Sequence, residues 1–87
     1  MAFSVMELPL ERQAYYNRLS ERIRSFIRFY TDRAEWDKVR HYIKVHQDLE
    51  WCIDAEITTP AHSYKWTSIK LVLDIIERCC KVEGNEK

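Results

Sequence analysis

Several groups of side chains in this 87-residue chain have types and spacings that could do chemistry. The densest is a run of arginines among aromatics: Arg12, Arg18, Arg22, Arg24, Arg28 and Arg33 interleave with Tyr15, Tyr16, Phe26, Phe29 and Tyr30. Guanidinium groups contact phosphates and aromatic rings stack on bases, so this is the composition of an RNA or single-strand surface. The spacing favours another use. At about 100° per residue, Arg18 and Arg22 fall on one side of an apolar stripe, and Arg24 and Arg28 on the other. Arginines so placed lay their stems along a buried seam and keep their heads in water. Nucleic-acid binding through Arg18, Arg22, Arg24 and Arg28 therefore stands as the alternative function, not the leading one.

The histidines come next. His46 lies within an apolar stripe with Glu50 one turn later, and His41 follows Asp37 by four. Helical di-metal sites draw Glu-x-x-His motifs and further carboxylates from several helices. There is no Glu-x-x-His here, and the other two helices carry too few inward carboxylates, so a buried, hydrogen-bonded His46–Glu50 pair is expected, with no metal and no cofactor. His62 falls in a loop or a first helical turn. A single glycine rules out the usual glycine-rich phosphate loops, and no Ser/His/Asp set sits on a recognisable turn. No enzyme is expected; catalysis would need a composite site at a dimer interface.

Three cysteines, Cys52, Cys79 and Cys80, make no disulfide framework. They read as small core hydrophobes. With no basic, apolar leader at the start of the chain, they point to a reducing, cytoplasmic setting. The apolar-rich run around residues 69–76 is broken by Lys70 and Asp74 and is too short to span a bilayer, so no membrane partner is expected. Formal net charge is zero, which argues against a general polyanion binder.

Two features resist a bland reading. Trp51 projects from a polar helix face among Lys44, Gln47, Asp48 and Asp54, where it is either an interface anchor or is covered by the N-terminal segment or the 54–62 loop. Asp48, Glu50, Asp54 and Glu56 crowd a helix C-terminus, where the dipole disfavours anions. Lys65 and Lys70, at the start of the following helix, are the expected compensation; a basic partner is the other.

The elements that position these groups are helices. One glycine and two prolines leave too few turn residues for a β-meander. The first helix covers residues 9–30, with Pro9 at its first position and a stripe of Tyr16, Leu19, Ile23, Phe26, Ile27 and Tyr30. The second covers 33–57, opened by a capping-box-like Asp32 and Glu35. Its apolar set is Trp36, Val39, Tyr42, Ile43, Val45, Leu49, Ile53 and Ile57. No glycine or proline separates these two, so one continuous bent helix is the alternative. Thr59 and Pro60 end the second helix and cap a third, which covers 60–82 with Gly84 as a stop. The expected fold is an all-α, up-down three-helix bundle in one domain of residues 1–87, with 1–7 as an N-terminal segment and 83–87 as a polar tail.

The third helix confines its polar residues to a strip about 100° wide and is apolar elsewhere. Two neighbours in a small bundle cannot cover that much. Either residues 3–6 fold over the surplus, or a partner does. The expectation is a small non-enzymatic protein–protein interaction module, self-associating as a homodimer that completes the bundle, through Trp51, Tyr64, Leu71 and Ile75.

Overall fold

The computed structural model describes residues 5–84, and the side chains of 5–81. A single 3-10 turn (Val5–Glu7) precedes three helices: α1 (Leu10–Asp32), α2 (Trp36–Thr58) and α3 (Lys65–Gly84). Among the described residues there is no strand, and the fold is an all-α three-helix bundle. Of the expected tail, Glu83 and Gly84 belong to α3, and 85–87 lie outside the described residues. Gly84 is thus the last residue of the helix and not a stop beyond it.

Side-chain contacts give the directions. Along α1 and α2 the bonded pairs Arg12–Glu56 and Ser20–His46 run in opposite senses, so the two helices are antiparallel. Tyr15–Glu77 and Arg22–Cys80 run in the same sense, so α1 and α3 are parallel. α2 therefore packs antiparallel to both.

The first two helices are separate, and the break needs no glycine. Tyr30 O accepts from Glu35 N (3.0 Å) while Thr31 O accepts from Ala34 N (3.0 Å). These are the six-to-one and five-to-two bonds of a Schellman C-cap. Its left-handed position, usually glycine, is filled by Ala34 at φ 57°. Asp32 is accordingly the last residue of α1 and not a cap. α2 begins at Trp36 after Glu35, which makes no capping side-chain bond; Glu35 Oε2 takes Arg33 Nε instead (3.0 Å).

The other two starts also move. Pro9 sits at the N-cap of α1, just outside the helix. Thr59 ends α2 in an extended conformation, as a residue before proline prefers, but α3 does not start there. Pro60–Ser63 forms a turn in which Pro60 O accepts from Ser63 N (3.0 Å) and from the Trp66 indole N–H (2.9 Å). With that carbonyl committed, the helix begins at Lys65, whose N–H donates to Ser63 Oγ (3.1 Å). Ser63, not Thr59, supplies the capping oxygen. His62 lies in the loop.

The core follows the helical stripes. α1 buries Tyr16, Leu19, Ile23 and Tyr30, and α3 contributes Ile69, Leu73, Ile76 and Cys80. α2 buries Val39, Tyr42, Val45 and Leu49 as expected, and also Cys52 and Ala55. Trp36 and Ile43, assigned to its stripe from the sequence, are exposed. Packed between two neighbours, α2 turns its small Cys52 and Ala55 inward, and the stripe rotates away from those two residues. Cys52 and Cys80 are buried and Cys79 is half-buried; burial pushes the Cys52 thiol up to about 12.

The strongest polar tie joins the start of α1 to the end of α2. Glu56 is 8% exposed in its side chain and takes Arg12 through both oxygens (2.8 and 3.0 Å). Oε1 also accepts from Tyr16 Oη at 2.5 Å. The cation that answers the acidic end of α2 is therefore Arg12 of α1, together with Lys44 on Asp48 (3.1 Å). Lys65 and Lys70 do not take this role: Lys65 Nζ lies 5.9 Å from the Trp51 ring centre, and Lys70 lines the α1–α3 groove. Burial opposes ionisation of Glu56, but hydrogen bonds from Arg12 and Tyr16 and the arginine's charge outweigh it, holding the carboxyl below its usual 4.5.

Two predictions come from these devices. Ala34→Gly relieves roughly 1–2 kcal/mol of left-handed strain against about 0.4–1 kcal/mol of added unfolded-chain freedom. The variant should be more stable by roughly 0–1.6 kcal/mol, with a thermal midpoint about 4–8 °C higher per kcal/mol; a lower midpoint would contradict the strain. For Glu56, a lowered folded-state pKa gives stability that is present above the unfolded value and is lost as pH falls through the folded one. Denaturant titrations should show wild-type stability declining as pH drops below 4.5. Glu56→Gln should cost about 1–3 kcal/mol at neutral pH, since it weakens the partners of Arg12 and Tyr16, and the gap from wild type should narrow in acid.

Candidate functional site

Two surface regions gather residues of chemical interest, one between α2 and α3 and one between α1 and α2.

The α2–α3 region carries the surplus apolar face. Leu73, Ile76 and Ile69 point into the core, and the next stripe round α3 points outward. Tyr64 is 92% exposed, Leu71 61% and Ile75 59%, while Trp51 on α2 is 42% exposed. Leu71 and Ile75 share a stripe by their spacing of four, and Tyr64 precedes the first residue of α3. Trp51 meets that stripe across the interhelical groove: Asp48, Trp51, Val72 and Ile75 line one shallow depression of about 310 Å³. The structure thus brings Trp51 and Ile75 together, with Leu71 one turn from Ile75, and sets Tyr64 at the entry to α3. Salt bridges flank the region on both helices, Lys44–Asp48 (3.1 Å) and Arg78–Asp74 (3.0 Å).

Of the expected alternative cover, the described part packs elsewhere. The turn Val5–Glu7 packs on α1 and α2, and Val5 lines the cleft on the α1–α2 side. Phe3 and Ser4 lie outside the described residues. Trp51 likewise keeps its exposure, with the Lys65 ammonium as its neighbour.

The arginines part as their spacing implies. Arg18 and Arg22 line the α1–α3 groove with Tyr15, Glu77 and Lys81, whereas Arg24 lines the α1–α2 cleft. Arg28 bonds Ser25 Oγ at 3.4 Å on the surface. Arg22 is committed within the fold: Nη2 donates to Cys80 O (3.2 Å) near the end of α3, where the helix dipole favours a cation, and its guanidinium lies 5.6 Å from the Phe26 ring centre. Arg18 and Arg22 thus face one groove and Arg24 the other, as their spacing implies.

The α1–α2 cleft holds a constellation that the sequence pattern hides. Ser20 Oγ lies 3.1 Å from His46 Nε2, and His46 Nδ1 lies 3.7 Å from Glu50 Oε2. The expected buried His46–Glu50 pair is therefore corrected. The His46 side chain is 21% exposed but that of Glu50 is 62%, and the close partner of the imidazole is Ser20 on the other helix. His41 likewise does not pair with Asp37, whose carboxylate takes Arg40 (2.5 Å). Asn17 and Arg24, three before and four after Ser20, share its helix face, and both line the cleft, of about 220 Å³. No ion pair involving Arg24 forms among the described residues. Nothing local in the sequence marks Ser20, because its partner is 26 residues away; the sequence signal is that Ser20 borders the same stripe of α1 that must face His46.

Among the described residues, no cluster of three or more His, Cys, Asp and Glu could hold a metal ion, and no helix is long and apolar enough to cross a membrane. No protein family, curated protein or solved structure matches this chain.

The division of labour among the arginines is testable. Arg22→Met should lower stability by about 0.5–1.5 kcal/mol, the worth of a typical hydrogen bond, while Arg18→Met should change it by less than about 0.5 kcal/mol. Equal effects in urea melts would contradict a special role for Arg22.

Proposed function

We propose that this protein is a small helical interaction module that works by association, and that its partner is a second copy of itself. The observation that carries this reading is the exposed apolar stripe of α3 beside Trp51. Half-exposed Trp51, Leu71 and Ile75 with the nearly free Tyr64 present on the order of 500 Å² of apolar surface, against about 300–600 Å² for the largest patch on a typical monomer. Trp and Tyr are the residue types that anchor interfaces.

Charge favours an identical partner over a basic or acidic one. The chain's net charge is zero, and Lys44–Asp48 and Arg78–Asp74 are neutralised in pairs on their own helices, which leaves Lys65 beside Trp51 as one bordering cation outside those pairs. Two copies can therefore meet at little Coulombic cost. The patch is smaller than the roughly 800 Å² per partner of a standard interface, so the polar flanks must contribute and the dimer is a modest one. A two-fold arrangement sets each patch on its own mate, adding the missing cover to α3.

Sedimentation velocity from about 1 to 100 µM tests the reading, a range that spans the affinity of a modest interface. A concentration-dependent dimer is expected, and Leu71→Asp with Ile75→Asp should weaken it at least about 100-fold, as loss of interface hot spots does, with unchanged helicity by circular dichroism. A wild-type chain that stays monomeric throughout would refute it.

A further inference from the structure

The Ser20–His46–Glu50 arrangement lies on the other side of α2 from the apolar patch and is not needed for association. We propose that the α1–α2 cleft is a weak acyl-transfer site for small, short-chain esters, with Ser20 as the nucleophile. The geometry supplies each part. Ser20 Oγ is within hydrogen-bond reach of His46 Nε2 (3.1 Å), the distance a general base requires. With the ring proton on Nδ1 facing Glu50 Oε2 (3.7 Å), Nε2 is free to accept the serine proton. Catalytic hydrogen bonds are often looser before substrate binds, so the longer contact suits an orienting carboxylate. The cleft offers room beside the nucleophile, about 220 Å³, which admits only a small substrate. Val5, Leu49 and Ile53 give an apolar wall for an acyl chain; Asn17 and Arg24, on the Ser20 face of α1, put an amide and a cation in the lining for an oxyanion to draw on, with Asp54 at the α2 side. A serine that served only to tie two helices together would not call for an unpaired cation and an open cavity at the same place.

The chemistry balances without a further reactant. Ser20 Oγ bonds to the ester carbonyl carbon as its proton passes to His46 Nε2, and the oxyanion faces Asn17 and Arg24. The carbon–oxygen bond to the alcohol breaks, the alcohol leaves with the proton from His46, and Ser20 is left acylated. Water then attacks the acyl carbon, giving a proton to His46. The carboxylic acid departs as that proton returns to Ser20 Oγ.

p-Nitrophenyl butyrate with the full chain tests this. A burst of nearly one equivalent of p-nitrophenolate is expected, with a butyryl adduct located on Ser20 by peptide mass mapping. Ser20→Ala should abolish both, and His46→Gln should slow acylation about 100-fold or more. Glu50→Gln should lower the maximal acylation rate while leaving the half-saturating ester concentration unchanged, as befits a positioning residue. Ser20→Cys guards against a folding artefact: it keeps a nucleophile at the same point and should carry the acyl group as a thioester. An adduct that persists in Ser20→Ala, an equally fast His46→Gln, or no adduct in a folded wild-type chain would each overturn the proposal. None of these readouts depends on whether the chain dimerises.

Discussion

The chain reversal between Arg33 and Glu35 is the constraint on which the remainder of the molecule rests. Tyr30 and Thr31 give their carbonyls to the returning backbone, and Ala34 accepts a left-handed conformation to let them do so. Without that turn residues 10–58 would be one long helix with an apolar stripe and nothing to bury it against. With it, α2 folds back antiparallel on α1. The reversal also sets the register that brings Arg12 to Glu56 and Ser20 to His46, pairs separated by 44 and 26 residues. α3 then has a two-helix groove to occupy.

Magnitudes separate what holds this arrangement from what decorates it. The exposed pairs Lys44–Asp48 and Arg78–Asp74 each contribute about 0.3–0.5 kcal/mol. The Arg12–Glu56–Tyr16 cluster is different in kind, because its carboxylate is nearly enclosed and takes three hydrogen bonds from two side chains. Charged hydrogen bonds of that sort are worth about 1.5–3 kcal/mol, and leaving one partner buried alone costs as much. Apolar burial supplies the larger favourable term, at about 1.5–3 kcal/mol for each buried large side chain, with Tyr16, Ile23, Leu49, Ile69 and Ile76 almost wholly enclosed.

The two faces of α2 serve different ends. Towards α3, the bundle runs out of neighbours before α3 runs out of apolar surface, and the remainder lies beside Trp51. Towards α1, polar groups enter the seam, and Val5 borders the cleft they line. An exposed apolar surface and a polar cleft thus share one helix without sharing residues, so changes on one side can leave the other intact.

The helical class, the number of helices and most of the core were legible in the amino-acid sequence, because a period near 3.6 in apolar residues survives whatever the helices pack against. Tyr16, Leu19, Ile23 and Tyr30 are buried where their spacing puts them. The surplus on α3 was legible for the same reason, since the width of an apolar stripe is a property of one helix alone. The sequence carried the split of the arginines about the seam as well. What it could not carry was anything settled by a second element. A C-cap with alanine in the glycine position has no residue signature, because the bonds that close it are backbone bonds. The start of α3 was displaced by an indole that reaches back to a carbonyl six residues earlier. Glu56 found its cation on α1 and not on α3, and His46 found its partner across the seam and not one turn along its own helix. Periodicity determines which face of a helix is apolar; only tertiary packing decides which side chains from other helices arrive there, because that depends on the angle and register at which two faces meet.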